Sequence, residues 1–171
     1  MALDVRGSLA NVYASLDRYL LATIAAAPPD GAGIALQLHG VRQFIPPIDD
    51  PWVQVFYNFI GLQSQYFHLA NNTQYAREPQ GYLQFNVYQR ARVWSTRYTT
   101  AAARDAVVNA FPEGKILSIY DYSDPNTDMP QECGYFHIDE TKEHVTDWGL
   151  RSGVTQHVIQ VATRYFEYFT R

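Results

Sequence analysis

The segment from Gly81 to Tyr122 constrains the fold more than any other part of the chain. Apolar and polar residues alternate from Leu83 to Val87, which predicts a strand with one buried face. An alanine-rich stretch up to Phe111 has the flat apolar side of a helix that lies on a sheet, and Pro112-Glu113-Gly114 ends it. Residues Ile116–Tyr122 return as a strand. A helix between two strands favours parallel pairing with a right-handed crossover.

A stripe of apolar residues at steps of three and four precedes this unit. It predicts an amphipathic N-terminal helix capped by Asp4 and ended by Pro28 and Pro29. The stripe consists of Val5, Leu9, Val12, Leu16, Leu20 and Ile24. After a link made extended by Pro46 and Pro47, residues 52–60 are strongly β-forming. That strand is expected to place Val53, Val55, Tyr57 and Phe59 on one face.

The last third of the chain is less regular. We expect a strand near Gly134–Ile138, then an acidic link, then a β segment over Val154–Thr170. The predicted class is α+β: a mixed β-sheet with an N-terminal amphipathic helix and the central strand-helix-strand unit, the helices packed on one face. We expect residues 1–171 to form a single domain, in which 123–171 is a C-terminal extension that completes the sheet or docks a partner.

Composition limits the classes of function. The chain has 171 residues and a net charge of −4, which argues against binding that wraps nucleic acid through phosphate neutralisation. Its one cysteine, Cys133, excludes an intramolecular disulfide and a zinc site built from cysteines. The longest apolar run, Tyr19–Ala27, is too short to span a bilayer. Tyrosine and phenylalanine are abundant, with 13 and 9 residues, which suits a rich core or an interface.

The densest group of metal-ligating or acid-base side chains is His137, Asp139, Glu140, Glu143 and His144. One hypothesis is a small metal-binding or hydrolytic enzyme, in which two pairs of these residues converge on one ion. The favoured interpretation is an exposed acidic link, because convergence requires a particular corner of the chain. No Gly-Lys-Ser, Gly-Lys-Thr or Gly-x-Ser-x-Gly motif occurs, so we expect no cofactor and no catalytic residues.

Basic residues cluster once, at Arg90, Arg92 and Arg97, with Trp94 and Tyr98 between them. Such a pattern is able to stack on bases or grip phosphates. In an acidic chain, a strand exit whose arginines point to solvent or to a neighbouring acidic subunit is favoured instead.

The order of the parts then resembles a known family. The amphipathic helix is followed by Phe44-Ile-Pro-Pro, by Pro51-Trp-Val-Gln-Val, by Gly81-Tyr-Leu-Gln-Phe-Asn-Val-Tyr, and by Ala101-Ala-Ala-Arg-Asp-Ala-Val-Val-Asn-Ala-Phe-Pro-Glu-Gly-Lys. This order is similar to the tail terminator, or tail completion, proteins of long-tailed bacteriophages, over about Val5–Tyr122. The chain departs from the family in the link after the central strand, which has Arg90-Ala-Arg-Val-Trp-Ser-Thr-Arg in place of a glycine-containing link, and in a longer segment after Tyr122.

The resemblance implies a structural virion protein without catalysis or cofactor. Its relatives form hexameric rings that cap the tail tube and join it to the neck or head connector. The implied partners are other copies of the chain, the tail tube protein and the connector protein, while DNA passes through the lumen without specific binding. The implied location is the tail or neck of the virion, after synthesis in the host cytoplasm.

The outward face of the strand that begins at Gly81 is the first place to expect a subunit contact. The predicted contact residues are Gln84, Asn86, Tyr88, Arg90, Arg92 and Trp94. Three alternatives stay open: another neck or head-tail connector subunit, the enzyme built on His137 to His144, and a ligand-binding module whose aromatic sheet encloses a small molecule.

Overall fold

The chain contains two helices within the part that the computed structural model describes, residues 9–27, 29, 31–59, 65–68, 74–78, 80–90, 96–122, 129–148, 153–165 and 167–170. The N-terminal amphipathic helix is confirmed as α1, Leu9–Leu20, and a π-helical turn over Leu21–Ala25 continues it. The second helix, α2, is Thr96–Ala110. Across the described ranges, neither helix has the length and apolar content that crossing a bilayer requires.

Nine strands are described, and they form two sheets. In chain order they are β1 (Ala35–Gln37), β2 (Trp52–Asn58), β3 (Gln65–His68), β4 (Gln74–Glu78), β5 (Gln80–Arg90), β6 (Ile116–Tyr120), β7 (Glu132–Trp148), β8 (Val154–Tyr165) and β9 (Glu167–Thr170). The larger sheet has six strands in the order β1-β2-β5-β8-β7-β6, and the smaller has the order β3-β4-β9. Strands β1 and β2 are parallel and the other described pairs are antiparallel, so the predicted α+β class with a mixed sheet is confirmed.

The predicted parallel pairing inside the strand-helix-strand unit is wrong. Strands β8 and β7 lie between β5 and β6, and three successive antiparallel pairings make β6 run opposite to β5. The physical reason is that α2 carries the chain across the sheet to its far edge, and the segment after Tyr122 then supplies the two strands that fill the gap. The existence of the strand, the helix and the second strand is as predicted.

The predicted acidic link is also wrong, because it forms part of a strand. The segment around Glu140 continues β7 without interruption from Glu132 to Trp148. Two β-bulges, between Ile138 and Glu140 and between Val145 and Asp147, adjust the register with β8. The pair of Asp139 with Arg164 of β8 and the pair of Glu140 with Lys142 of the same strand make these acidic residues compatible with a sheet.

One face of the six-stranded sheet carries the core, and both helices pack on it. Residues of β2, β5 and β8 that lie opposite each other in register share this inner face, as in the row Val55, Phe85 and Ile159. Four residues of the predicted apolar stripe are buried, namely Val12, Leu16, Leu20 and Ile24, whereas Leu9 is 37% exposed and Val5 lies outside the described residues. From α2 the buried residues include Ala103 and Val107. Phe111, just after α2, lies 5.0 Å from Phe85 between ring centroids. The alternation predicted for β2 and β5 is thereby confirmed.

Strand pairing continues from the larger sheet into the smaller one. Gln80 of β5 pairs with Arg164 of β8, and Arg77 of β4 pairs with Glu167 of β9. The β5–β8 ladder and the β4–β9 ladder thus use consecutive parts of the same two stretches of chain. Residues after Tyr122 therefore supply inner strands of one sheet and an outer strand of the other.

Candidate interaction surfaces

The second face of the six-stranded sheet, here called the open face, is covered by neither α1 nor α2. Strand alternation places Gln54 of β2, Asn86 of β5 and Val158 of β8 side by side on it. The next rows along the strands carry Phe56, Gln84 and Gln160, and Trp52, Tyr88 and Gln156. The centre of this surface is therefore made of amides and aromatic rings, not of charges.

The polar side chains of the open face bond to one another within β5 and between β5 and β8. Gln160 Nε2 donates to Gln84 Oε1 at 3.3 Å, and Gln84 Nε2 donates to Asn86 Oδ1 at 3.0 Å. Gln156 Nε2 donates to the Tyr88 hydroxyl at 3.3 Å. Bonded side chains of this kind keep a fixed shape, so the surface needs little ordering when a partner binds.

Tyr88 is the aromatic centre of the open face. Its ring stacks on Trp52 with centroids 5.4 Å apart and an interplanar angle of 25°. Its hydroxyl lies 3.5 Å from Gln54 Oε1. Burial raises the pKa of the Tyr88 hydroxyl, against the opposing effect of a hydrogen bond with Asn86, so the group stays a neutral donor. Neutral aromatic and amide side chains of this kind suit contact with protein.

The structure brings three of the predicted contact residues together. Gln84, Asn86 and Tyr88 share the open face, and Arg90 is exposed at the end of the same row. Asn86 is only 6% exposed, so it supports the network more than it offers a contact. Arg92 and Trp94 lie outside the described residues.

The residues of the enzyme hypothesis lie along one strand. His137 and His144 are seven residues apart on β7, which places them roughly 23 Å apart. Asp139 accepts from Arg164 Nε at 2.8 Å, and Glu140 pairs with Lys142 at 2.8 Å. In the described part of the chain, no three His, Cys, Asp or Glu side chains come close enough to hold a metal ion.

Glu143 lies on the inner face of β7, opposite to the face that carries the Glu140–Lys142 pair. It accepts hydrogen bonds from Arg104 of α2 and lies 3.2 Å from Nδ1 of His157 on β8. The Arg104 hydrogen bond, followed by the one with His157, lowers the pKa of Glu143 against the raising effect of burial. Arg104 and Arg164, the cations that organise these carboxylates, were not identified in the sequence because their partners are distant along the chain.

A groove lies between α1 and β6, with a volume of about 350 Å³. Buried apolar side chains of Val12, Leu16 and Phe136 line it. Ser15 Oγ accepts from the backbone N–H of Tyr120 at 3.0 Å, and so closes part of the outer edge of β6.

The same edge carries further contacts at Tyr122. Asn11 Oδ1 accepts from its backbone N–H at 3.1 Å, and the Arg18 guanidinium lies 4.2 Å above its ring. This groove, the α1–β6 groove, was missed at the level of sequence. Its one sequence signal is a polar pair, Asn11 and Ser15, one turn apart on the buried side of the helix.

The link between β1 and β2 is a second surface missed in the sequence. Its apolar side chains point outward: Val41 is 43% exposed, Ile45 is 94% exposed and Ile48 is 60% exposed. Both ends are held, since Tyr57 N–H donates to His39 Nδ1 at 3.1 Å and Gln89 Nε2 donates to the Asp49 carbonyl at 3.1 Å. We call Val41–Ile48 the apolar link.

Comparison with known proteins adds no relationship to these observations: no protein-family model matches the sequence, and no curated protein matches it.

Proposed function

We propose that the protein is a structural subunit of a long-tailed phage virion that forms a closed ring, capping the tail tube and joining it to the neck. The ring is hexameric, and its contacts are made with other copies, with the tube protein and with the connector protein. DNA passes through its lumen without specific binding.

The observation that carries the proposal is the arrangement of the exposed surfaces. An open face with amide and aromatic side chains at its centre lies between two unlike edges of the sheet, one with the apolar link and one with the α1–β6 groove. Ring closure by head-to-tail contact needs two different side surfaces that fit each other. Contacts above and below the ring need further surfaces. The open face supplies one such surface, which is at least three strands wide.

The sequence resemblance is the reason for proposing this particular assembly. Its strongest piece is the apolar strand followed by the alanine-rich helix and Phe-Pro-x-Gly, which corresponds to β5, α2 and the turn after α2. In that turn, Phe111 is fully buried and Gly114 has a φ of 78°, a backbone conformation that glycine adopts without strain. The motif thus has a structural reason to exist in this chain.

The electrostatic character is consistent with a channel subunit. The net charge is −4, so a lumen lined by this protein would repel the DNA backbone instead of retaining it.

The proposal is tested by mixing the purified protein with purified tail tubes. We expect native mass spectrometry to detect a closed oligomer, alone or on the tubes, and electron microscopy to show density at one tube end. Variants Gln84→Ala and Tyr88→Ala of the open face should weaken capping, whereas Glu113→Gln, in the exposed turn after α2, should cap normally.

A protein that stays monomeric and leaves tubes bare would contradict the proposal. A closed oligomer that binds the neck connector but not the tube would instead assign the chain to another neck or head-tail connector position.

A further inference from the structure

The apolar link has the features of a docking segment that is ready to bind. Ile45 is 94% exposed. Because burial of an apolar side chain is favourable, a molecule that covers Ile45 would gain binding free energy. The segment is nevertheless held in place, because His39 and Asp49 at its ends are hydrogen-bonded to β2 and β5. In addition, Gln37 Nε2 donates to the Val41 carbonyl at 3.0 Å. Binding therefore requires little extra ordering.

The α1–β6 groove has the complementary features. Its floor is apolar, and its rim includes Ile116, which is 54% exposed. Because Ser15 and Asn11 already accept the backbone N–H groups of Tyr120 and Tyr122, the groove accommodates apolar side chains better than an added strand. Pro46 and Pro47 of the link likewise lack a backbone N–H, so its contact would also depend on side chains.

The end of the apolar link and the groove carry charges of opposite sign. The link has the exposed Arg42 near its start and leads into Asp49 and Asp50, both exposed, while Arg18 lies exposed at the groove above Tyr122. The carboxylates beside the groove are engaged locally, since Glu132 accepts from Ser118 Oγ at 2.6 Å and Asp121 accepts from Asn11 Nδ2 at 3.2 Å.

The link and the groove of one subunit lie on different sides of α1. The ring of His39, at the start of the link, lies against Tyr13, with centroids 5.9 Å apart. Ser15 and Arg18, which line the groove, are two and five positions further along the helix, and at about 100° per residue they point away from Tyr13. The helix therefore separates the two surfaces within a subunit, which favours contact between subunits.

We propose that the α1–β6 groove of one subunit takes up the apolar link of a second copy, with Asp50 placed beside Arg18. The proposal rests on the ring-forming function and names the contact that would close the ring. Each subunit gives its link to one neighbour and receives the link of the other.

Two variants that block opposite sides test this contact. Ile45→Asp blocks the link, and Ile116→Asp blocks the groove rim; both residues are exposed, so the fold should be retained and circular dichroism checks it. Each variant alone should lose self-association by about tenfold or more. Mixed, the two should form a one-to-one dimer that cannot grow, because only one intact link and one intact groove remain.

A charge exchange provides an independent measurement. Asp50→Arg and Arg18→Asp should each weaken association, and the chain carrying both changes should recover it, with Glu113→Lys as the control that leaves association unchanged.

The outcomes separate the two proposals. Rings that form normally from both isoleucine variants would overturn the contact and leave the ring-forming function standing. Rings of Ile116→Asp that form normally but no longer bind tubes would show that the groove receives the tube protein, which also overturns the contact. A wild-type chain that never associates, even on tubes, would overturn both.

Discussion

At the scale of single residues, Glu143 joins three elements through one carboxylate. Arg104 of α2 donates to it from Nε at 2.9 Å, and His157 of β8 lies on its other oxygen. Glu143 is 25% exposed and Arg104 is 34% exposed, so solvent screens this pair only in part. The carboxylate therefore contributes to the packing of α2 on the sheet.

We predict that Glu143→Gln lowers the free energy of unfolding by about 1–2 kcal/mol at neutral pH, since it removes a charge-assisted hydrogen bond that is partly screened. Because the folded-state pKa of Glu143 is lowered from its ordinary 4.5, its contribution is present above that value and is lost as the pH falls below it. Wild-type stability should therefore drop between about pH 5 and pH 3, and the variant should lack that part of the drop.

Chemical denaturation across this pH range measures the effect. Glu140→Gln is the matched control on the same strand, because Glu140 is 51% exposed and its pair with Lys142 lies at the surface. Equal losses in the two variants would contradict the assigned role of Glu143.

At the scale of elements, Tyr57 fixes α1 to β2. Its side chain is buried, its hydroxyl donates to Asp17 Oδ1 at 2.5 Å, and its ring lies 5.2 Å from that of Tyr13. Burial, followed by the hydrogen bond with Asp17, raises the pKa of the Tyr57 hydroxyl far above its ordinary 10.0. The hydroxyl thus stays protonated in the folded state.

Tyr57→Phe should lower the free energy of unfolding by about 1.5–3 kcal/mol, the usual range for a hydrogen bond to a charged group. A raised folded-state pKa gives stability that is complete below the ordinary value and is lost as the pH rises above it. Denaturation above about pH 10 should therefore destabilise the wild type more than this variant. Tyr82→Phe, at an exposed position on the open face, should change neither the stability nor its alkaline pH dependence by a comparable amount.

The sequence predicted elements better than it predicted their neighbours. Alternation in β2 and β5 and the apolar stripe from Val12 to Ile24 depend on local spacing, and all three were confirmed. Strand β5 pairs with β8, which lies some seventy residues further along the chain, so local spacing carries no information on this pairing. The run around Glu140 was misinterpreted because the cation that makes a charged strand stable, such as Arg164 for Asp139, is contributed by another strand.

The candidate sites also divide into those that local spacing predicts and those that depend on distant parts of the chain. Gln84, Asn86 and Tyr88 were placed on one surface correctly, because a period of two fixes their common face. The α1–β6 groove was not predicted, because it exists only where the far edge of the sheet meets the helix.

At the scale of the whole molecule, the two sheet faces should respond differently to the same substitution. Phe85 is fully buried on the inner face, and Phe56 is half-buried on the open face. We predict that Phe85→Ala lowers the free energy of unfolding by about 3–5 kcal/mol, because it leaves a cavity in the core. Phe56→Ala should cost the isolated subunit about 1 kcal/mol and, under the proposed function, should mainly weaken capping of tail tubes.

Thermal denaturation and the tube-capping assay, performed on both variants, distinguish these effects. Loss of stability of similar size in both, with capping by Phe56→Ala intact, would assign the open face a purely structural role.

The position of β8 between β5 and β7 also sets the order in which the chain is able to fold during translation. When β5 leaves the ribosome, the strand that will cover its second edge has not yet been made, and β6 emerges before the strand to which it pairs. The nascent chain therefore carries unpaired strand edges until β8 is released, a state in which strands of neighbouring chains are able to pair wrongly. Slow elongation over the last third of the coding sequence would prolong that exposure.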